Sequence, residues 1–161
     1  MQIKIGYFYF IKDKFFEIID DEELMQNKEN GNKRPCYFCF KSKENDKIIW
    51  FIPISTKVEK YQKIYENKIE KQKKLGKKPS IDTIVFGYVS NVYSTLLIQN
   101  MFPVTEEYIE NQYLKNNVPI TLSNKLQKEI IYKANKVLGL YNHGMKNIIF
   151  PDIDKILKQL L

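Results

Sequence analysis

The residues best suited to chemistry crowd into one short stretch. Ile49-Trp50-Phe51-Ile52-Pro53-Ile54 is strand-like, and Ser55-Thr56-Lys57 follows it directly, ahead of a helical stripe. Two hydroxyls and an amine at a strand-to-helix junction suit a phosphate. The helix N-terminus offers free backbone donors, the hydroxyls bind oxygens, and Lys57 opposes developing negative charge. The same residues also fit an ordinary cap, with Ser55 or Thr56 bonding the first amides and Lys57 in solvent.

Other motifs point to less. Cys36 and Cys39 have C-x-x-C spacing, but they lie in Pro35-Cys36-Tyr37-Phe38-Cys39-Phe40, a predicted strand. Positions three apart on a strand face opposite sides, so shared metal binding or a disulfide is disfavoured and two structural thiols are expected. His143 is the only histidine and sits in Tyr141-Asn142-His143-Gly144, a helix end, where capping is its expected role. The sequence has no Walker loop, no glycine-rich dinucleotide turn and no G-x-S-x-G elbow, so neither cofactor nor metal is expected.

Charge adds a partner class. The net charge is +7, and Arg34 is the single arginine among 26 basic residues. Nine lysines fall between Lys57 and Pro79 against Glu59, Glu66 and Glu70, a local excess of +6. Lys71, Lys73, Lys74, Lys77 and Lys78 crowd the end of this segment, with Lys60 near its start. Such a face is either solvated or a flank for nucleic-acid phosphates, and its one-sidedness favours the second.

The elements that must position these residues follow from patterning. Ile3–Phe10 reads as a strand, and Asp13–Ile19 as a short helix with Asp13 as candidate cap. Asp20–Lys33 is polar and aperiodic, the expected mobile loop, ending in the turn-like Asn30-Gly31-Asn32. Pro35–Lys41 and Lys47–Ile54 read as a hairpin, and Pro53 places a sheet edge or strand end there. Val58, Tyr61, Ile64/Tyr65 and Ile69 mark a helix that ends near Gly76. Asp82–Val89 and Tyr93–Asn100 form a second hairpin around Ser90-Asn91. Thr105 is expected to cap a short helix carrying Glu106 and Glu107. Leu126, Ile130, Ala134, Val137 and Tyr141 stripe a longer helix that starts near Ser123, and Pro151-Asp152 opens a last one.

The sum is one α+β domain over residues 1–161, with strands early and helices late. Apolar residues at 43% against 28% charged exclude a disordered chain. No apolar run approaches the roughly 20 residues that cross a bilayer, and Met1–Ile5 carries no signal-peptide pattern, so a cytoplasmic protein away from membranes is expected.

Three blocks carry a resemblance: Lys33-Arg34-Pro35-Cys36-Tyr37, WFIPISTKVEKY at Trp50–Tyr61, and LIQNMFPVTEEYI at Leu97–Ile109. Together they resemble the ToxN/AbiQ endoribonuclease toxins of type III toxin–antitoxin systems, nearest the CptN branch, in blocks running from Gly6 to Ile109. The resemblance implies an SH3-like β-barrel of the MazF, Kid and CcdB kind, decorated with helices. It implies metal-independent, sequence-preferring cleavage of cellular or phage RNA, leaving 2′,3′-cyclic phosphate and 5′-hydroxyl ends. It also implies an RNA antitoxin, a repeated pseudoknot that the toxin processes and stays bound to in a closed ring-like RNA–protein assembly.

Carried over by residue, Ser55 and Thr56 match the family's paired active-site hydroxyls and Lys57 its lysine by role. Which hydroxyl corresponds stays open, because some relatives place another residue before the lysine. Lys33 and Arg34 match a basic patch, and Tyr7 or Tyr9 resembles an aromatic position near the cleft. In this reading Lys57 stabilises the phosphorane-like charge, Arg34 grips an adjacent phosphate, and Trp50 or a first-strand tyrosine stacks on an unpaired base, Trp50 being equally suited to the core. Two rivals remain: a basic nucleic-acid-binding module without catalysis, and a toxin of the same barrel that blocks another protein.

Overall fold

The computed structural model describes residues 2–161. In chain order, β1 (Phe8–Ile11) leads to α1 (Asp13–Ile19), then to a small hairpin of β2 (Lys28–Glu29) and β3 (Asn32–Lys33). Next come β4 (Cys36–Lys41), β5 (Ile49–Ser55) and the basic helix α2 (Val58–Lys74). They are followed by β6 (Ile84–Val89), β7 (Val92–Leu97), β8 (Phe102–Val104) and β9 (Ile109–Gln112). A short hairpin of β10 (Leu114–Lys115) and β11 (Val118–Pro119) precedes α3 (Asn124–Asn142) and α4 (Ile153–Leu160).

Seven antiparallel strands form the main sheet in the order β6-β7-β5-β4-β1-β9, with β8 also paired to β5. Every residue of β5 is buried, as its unbroken apolar run requires of a central strand. On one edge β5 pairs with β4 from Ile49 to Pro53. On the other it changes partner, from β8 at Ile49–Phe51 to β7 at Ile54 and Ser55. Ile52 and Pro53 fall in the gap between those partners, so proline is tolerated mid-sheet and β5 runs past it to Ser55, contrary to the expected edge or end. Strands β6 and β9 end the path without meeting among the described residues, so the sheet is open where a closed barrel was expected.

Aromatic side chains fill the core. Tyr9 packs edge-on to Phe51 (6.2 Å), Phe38 lies 5.7 Å from Phe51, and Phe15 lies 5.6 Å from Phe102. Helix α3 covers this core with Ile130, Ala134, Val137 and Tyr141, the stripe read from its periodicity, and α4 adds Ile153 and Ile156. Ser123 and Asp152 cap these helices by accepting from the amides of Leu126 and Lys155. No helix among the described residues is long and apolar enough to cross a membrane.

Several local expectations change. Strand β1 begins at Phe8 because Gly6, at φ +94°, turns the chain; Tyr7 makes an isolated bridge to Thr121, and its carbonyl accepts from the Phe38 N–H. Asp13 does not cap α1; Lys12 holds that position without a side-chain bond, and the Asp13 carboxylate accepts from the Asn27 amide instead. Thr105 precedes only a 3-10 turn, Glu106–Tyr108, and its side chain bonds no amide of it. The polar 20–33 stretch contains the β2–β3 hairpin, with Asn30 and Gly31 both at positive φ as a type I′ turn demands. Ser90-Asn91 makes the same kind of turn between β6 and β7.

Candidate active site

Register brings the site together. Cys36 of β4 stands opposite Pro53, so continuing the antiparallel ladder two residues places Arg34 beside Ser55. On the other edge Ser55 pairs with Thr95 of β7. Ser55 is thus held by strand pairing on the β7 side with Arg34 beside it on the other, and the residue is 1% exposed. Thr56 and Lys57 then lead into α2, both exposed to solvent, and the Lys57 N–H donates to Ser55 Oγ at 3.1 Å.

The β2–β3 hairpin lays Glu29 across this junction. Ser55 Oγ donates to Glu29 Oε2 at 2.7 Å. Thr56 donates twice to Glu29 Oε1, from its N–H at 2.9 Å and from Oγ1 at 2.7 Å. Arg34 Nη1 completes the set with an ion pair to Oε2 at 2.8 Å. Burial alone would raise the Glu29 pKa. Hydrogen bonds from the Thr56 hydroxyl and N–H, the Ser55 hydroxyl and Arg34 outweigh it and hold the carboxyl at about 2.

Arg34 is 7% exposed and does more than pair with Glu29. Its Nε donates to the Gln26 carbonyl at 2.9 Å, and Nη1 also reaches the Ile54 carbonyl at 2.7 Å. The planar fork therefore joins β5, the loop before β2 and the hairpin. Lys33 is drawn off to the side, into an ion pair with Glu110.

Two cavities meet at Glu29. The larger, about 750 Å³, is lined by Phe10, Lys33, Arg34, Thr56, Asn111 and Tyr113 among others, and Phe10 and Tyr113 meet edge-on at 5.4 Å. The smaller, about 290 Å³, is bordered by Ser55, Lys57, Lys60 and Tyr61 under the start of α2. Glu29, Asn30 and Arg34 border both.

The remaining sequence candidates sit elsewhere. Tyr9 is fully buried, its Oη accepting from the Lys4 N–H, and Trp50 is 4% exposed between β4 and β8. Neither ring has a free face for a base in this structure, and Tyr7 is half-buried. Lys60 lies over the Tyr61 ring at 5.3 Å. Lys71, Lys73 and Lys74 lie at the far end of α2, which spans 17 residues or roughly 25 Å, and Lys77 and Lys78 follow it. All five are exposed and too distant to share one phosphate with Lys57. Cys36 and Cys39 are free, buried thiols, and burial pushes the Cys36 thiol up to about 12. His143 is exposed at the C-cap of α3.

Sequence reasoning missed Glu29, although it foresaw its partners. The Asn30-Gly31 pair was the available signal, since a type I′ turn fixes which side chains flank it. Strand β9, which carries Asn111, was also missed.

No protein-family model matches the chain, and no curated protein matches it in sequence. Solved structures do resemble it. One comes from a bacterial type III toxin–antitoxin system in which a non-coding RNA pseudoknot selectively inhibits the toxin. It has a TM-score of 0.66 at 14% identity, covering 98% of this chain and 96% of that one. Another is AbiQ, a lactococcal anti-phage endoribonuclease of a type III system, with a TM-score of 0.68 at 16% identity and the same coverage. The chain thus has the fold of the ToxN and AbiQ toxins over nearly its whole length.

Proposed function

We propose that this chain is the toxin of a type III toxin–antitoxin system, a single-domain endoribonuclease acting in the cytoplasm and nearest the CptN branch. One observation carries the reading. On the ToxN/AbiQ fold, the hydroxyls of Ser55 and Thr56, the Thr56 amide and Arg34 converge on one acid group beside a 750 Å³ cavity, with Lys57 adjacent. That donor set suits a phosphodiester as well as a carboxylate. The partner exchange along β5 is read as the corner of an SH3-like barrel of the MazF, Kid and CcdB kind, left open between β6 and β9.

RNA brings its own nucleophile, so the protein's task is alignment and charge. The 2′-oxygen bonds to phosphorus as its proton passes to solvent water. The bond to the 5′-oxygen breaks, and that oxygen takes a proton from water as it departs. Ser55 and Thr56 hold the non-bridging oxygens, and Lys57 opposes the charge that builds on them. Arg34 fixes the seat, and the cavity walled by Phe10 and Tyr113 receives the neighbouring nucleotide. The reaction needs no metal and leaves a 2′,3′-cyclic phosphate and a 5′-hydroxyl.

The partner in this reading is a repeated RNA pseudoknot that the toxin trims and stays bound to in a ring-like assembly, as a phage-defence system. The lysines of α2 and of the segment after it contact its backbone. The test is to incubate purified protein with unstructured RNA in excess EDTA and identify the new ends. Cyclic phosphate and 5′-hydroxyl ends are expected. Cleavage that vanishes in EDTA contradicts the mechanism, and no cleavage by RNA-free protein points to a binding module.

A further inference from the structure

The Ser55 hydroxyl, the Thr56 hydroxyl and the Thr56 amide each have one proton to give, and each gives it to Glu29. While Glu29 stays, none of these donors is free for a phosphate oxygen. Two outcomes exclude each other: either the hydroxyls never touch substrate, or Glu29 leaves.

We propose that Glu29 is a displaceable occupant of the phosphate seat, and that RNA gains the Ser55 and Thr56 donors only by expelling its carboxylate and lifting the β2–β3 hairpin. The proposal rests on the ribonuclease reading of this site and adds how the site is held closed.

Three observations support it. A carboxylate presents two acceptor-only oxygens, as a phosphodiester does, and here they take four donor contacts between them. The hairpin is lightly held: residues 26–33 contain no apolar side chain, and β2 and β3 form a separate two-stranded sheet. Its other ties are Asn27, through its side chain to the Ile11 carbonyl and Asp13 and through its carbonyl to the Arg34 N–H at 2.7 Å, Arg34 Nε to the Gln26 carbonyl, and Lys33 to Glu110. Segments with so little apolar burial open most readily. Finally, Glu29 stands on the border shared by the two cavities, so its departure joins them into one cleft across Ser55, Thr56 and Lys57.

Self-occupancy lowers apparent affinity by the fraction of molecules with an open seat, so a seat open in one molecule of ten costs about tenfold. The probe is a 2′-deoxy oligonucleotide, which lacks the nucleophile and reports binding alone, followed by fluorescence anisotropy with inorganic phosphate as competitor. Glu29→Gln, which keeps one carbonyl acceptor for the hydroxyls, is expected to bind about tenfold or more tightly than wild type. Lys28→Gln, on the same strand, is expected not to tighten binding. Equal or weaker binding by Glu29→Gln overturns the proposal.

A second measurement needs no variant. The Glu29 carboxyl, followed by carbon NMR in the wild-type protein, is expected to return toward the usual carboxylate range when the oligonucleotide saturates. Oligonucleotide bound with the Glu29 titration unchanged overturns displacement and leaves the ribonuclease reading standing. No binding by wild type or either variant contradicts both.

Discussion

The Ser55 hydroxyl donates to Glu29 Oε2 at 2.7 Å, joining the end of a buried central strand to a carboxylate 26 residues upstream. Ser55 is where the sequence places a phosphate contact, and the structure places an acid there. The pair links the hairpin to β5, and with Arg34 it forms a polar cluster at the sheet's end.

That cluster predicts a pH dependence. The Glu29 carboxyl sits at about 2 in the folded chain against a usual 4.5. A depressed carboxyl stabilises the fold above the unfolded value, because the unfolded chain takes up its proton first as pH falls. The contribution is complete above about pH 5, and is lost progressively as pH drops through 4.5 toward 2. Urea unfolding of wild type and Glu29→Gln across this window checks it: the stability difference should shrink with acid, and a constant difference contradicts the account.

Arg34 predicts a larger effect. Arg34→Ala leaves Glu29 short of its counter-charge and the Ile54 and Gln26 carbonyls without their donor. Breaking a buried pair from one side costs about 3 kcal/mol or more. Arg34→Lys is expected to recover only part of this, because an ammonium does not reproduce the fork. Denaturant midpoints measured at neutral pH separate the three proteins.

Trp50 separates packing from stacking. Buried against β8 and β4, it is expected to tolerate Phe at a cost of about 1 kcal/mol, with RNA affinity of the folded protein unchanged within twofold. A base-stacking tryptophan would lose about 1–3 kcal/mol of binding on truncation. Parallel thermal melts and binding titrations of Trp50→Phe and Trp50→Ala distinguish the two.

The proposed backbone role of the lysines at the end of α2 is one exerted at a distance from Lys57. Reversing Lys73 and Lys74 to Glu is expected to weaken long RNA and to lower the slope of log affinity against log salt by about 1 to 1.5. Cleavage of an oligonucleotide of a few residues should not change, since these lysines lie roughly 25 Å from Lys57 along the helix axis. A proportional loss on the short substrate would contradict their assignment to the backbone alone.

Patterns with a regular period were legible from residue types. The stripes of α2 and α3, the starts of the last two helices near Ser123 and Asp152, and the hairpin turn at Ser90-Asn91 follow from local chemistry. Ser55, Thr56 and Arg34 were named in advance, and the fold confirms that they come together without testing what they do. The missing pieces depend on long-range register. Glu29 is a lone acid in a polar stretch with no periodicity, and only the sheet determines that it lands on Ser55. Tyr9 and Trp50 are aromatic in both roles considered for them, and burial, a tertiary property, separates core from surface. Pro53 seemed to end a strand because its neighbours on the sheet, β8 and β7, are about 40 to 50 residues away in sequence.

The central claim is that Lys57 drives RNA cleavage from an exposed position at the head of α2. Its side chain makes no ion pair or hydrogen bond among the described residues, so Lys57→Ala should fold with a melting temperature near that of wild type. The decisive measurement is single-turnover cleavage and oligonucleotide binding by Lys57→Ala beside wild type, in EDTA. The account predicts a loss of about 10²–10³-fold in rate with affinity nearly unchanged, the mark of an interaction made in the transition state. Cleavage at the wild-type rate would contradict it.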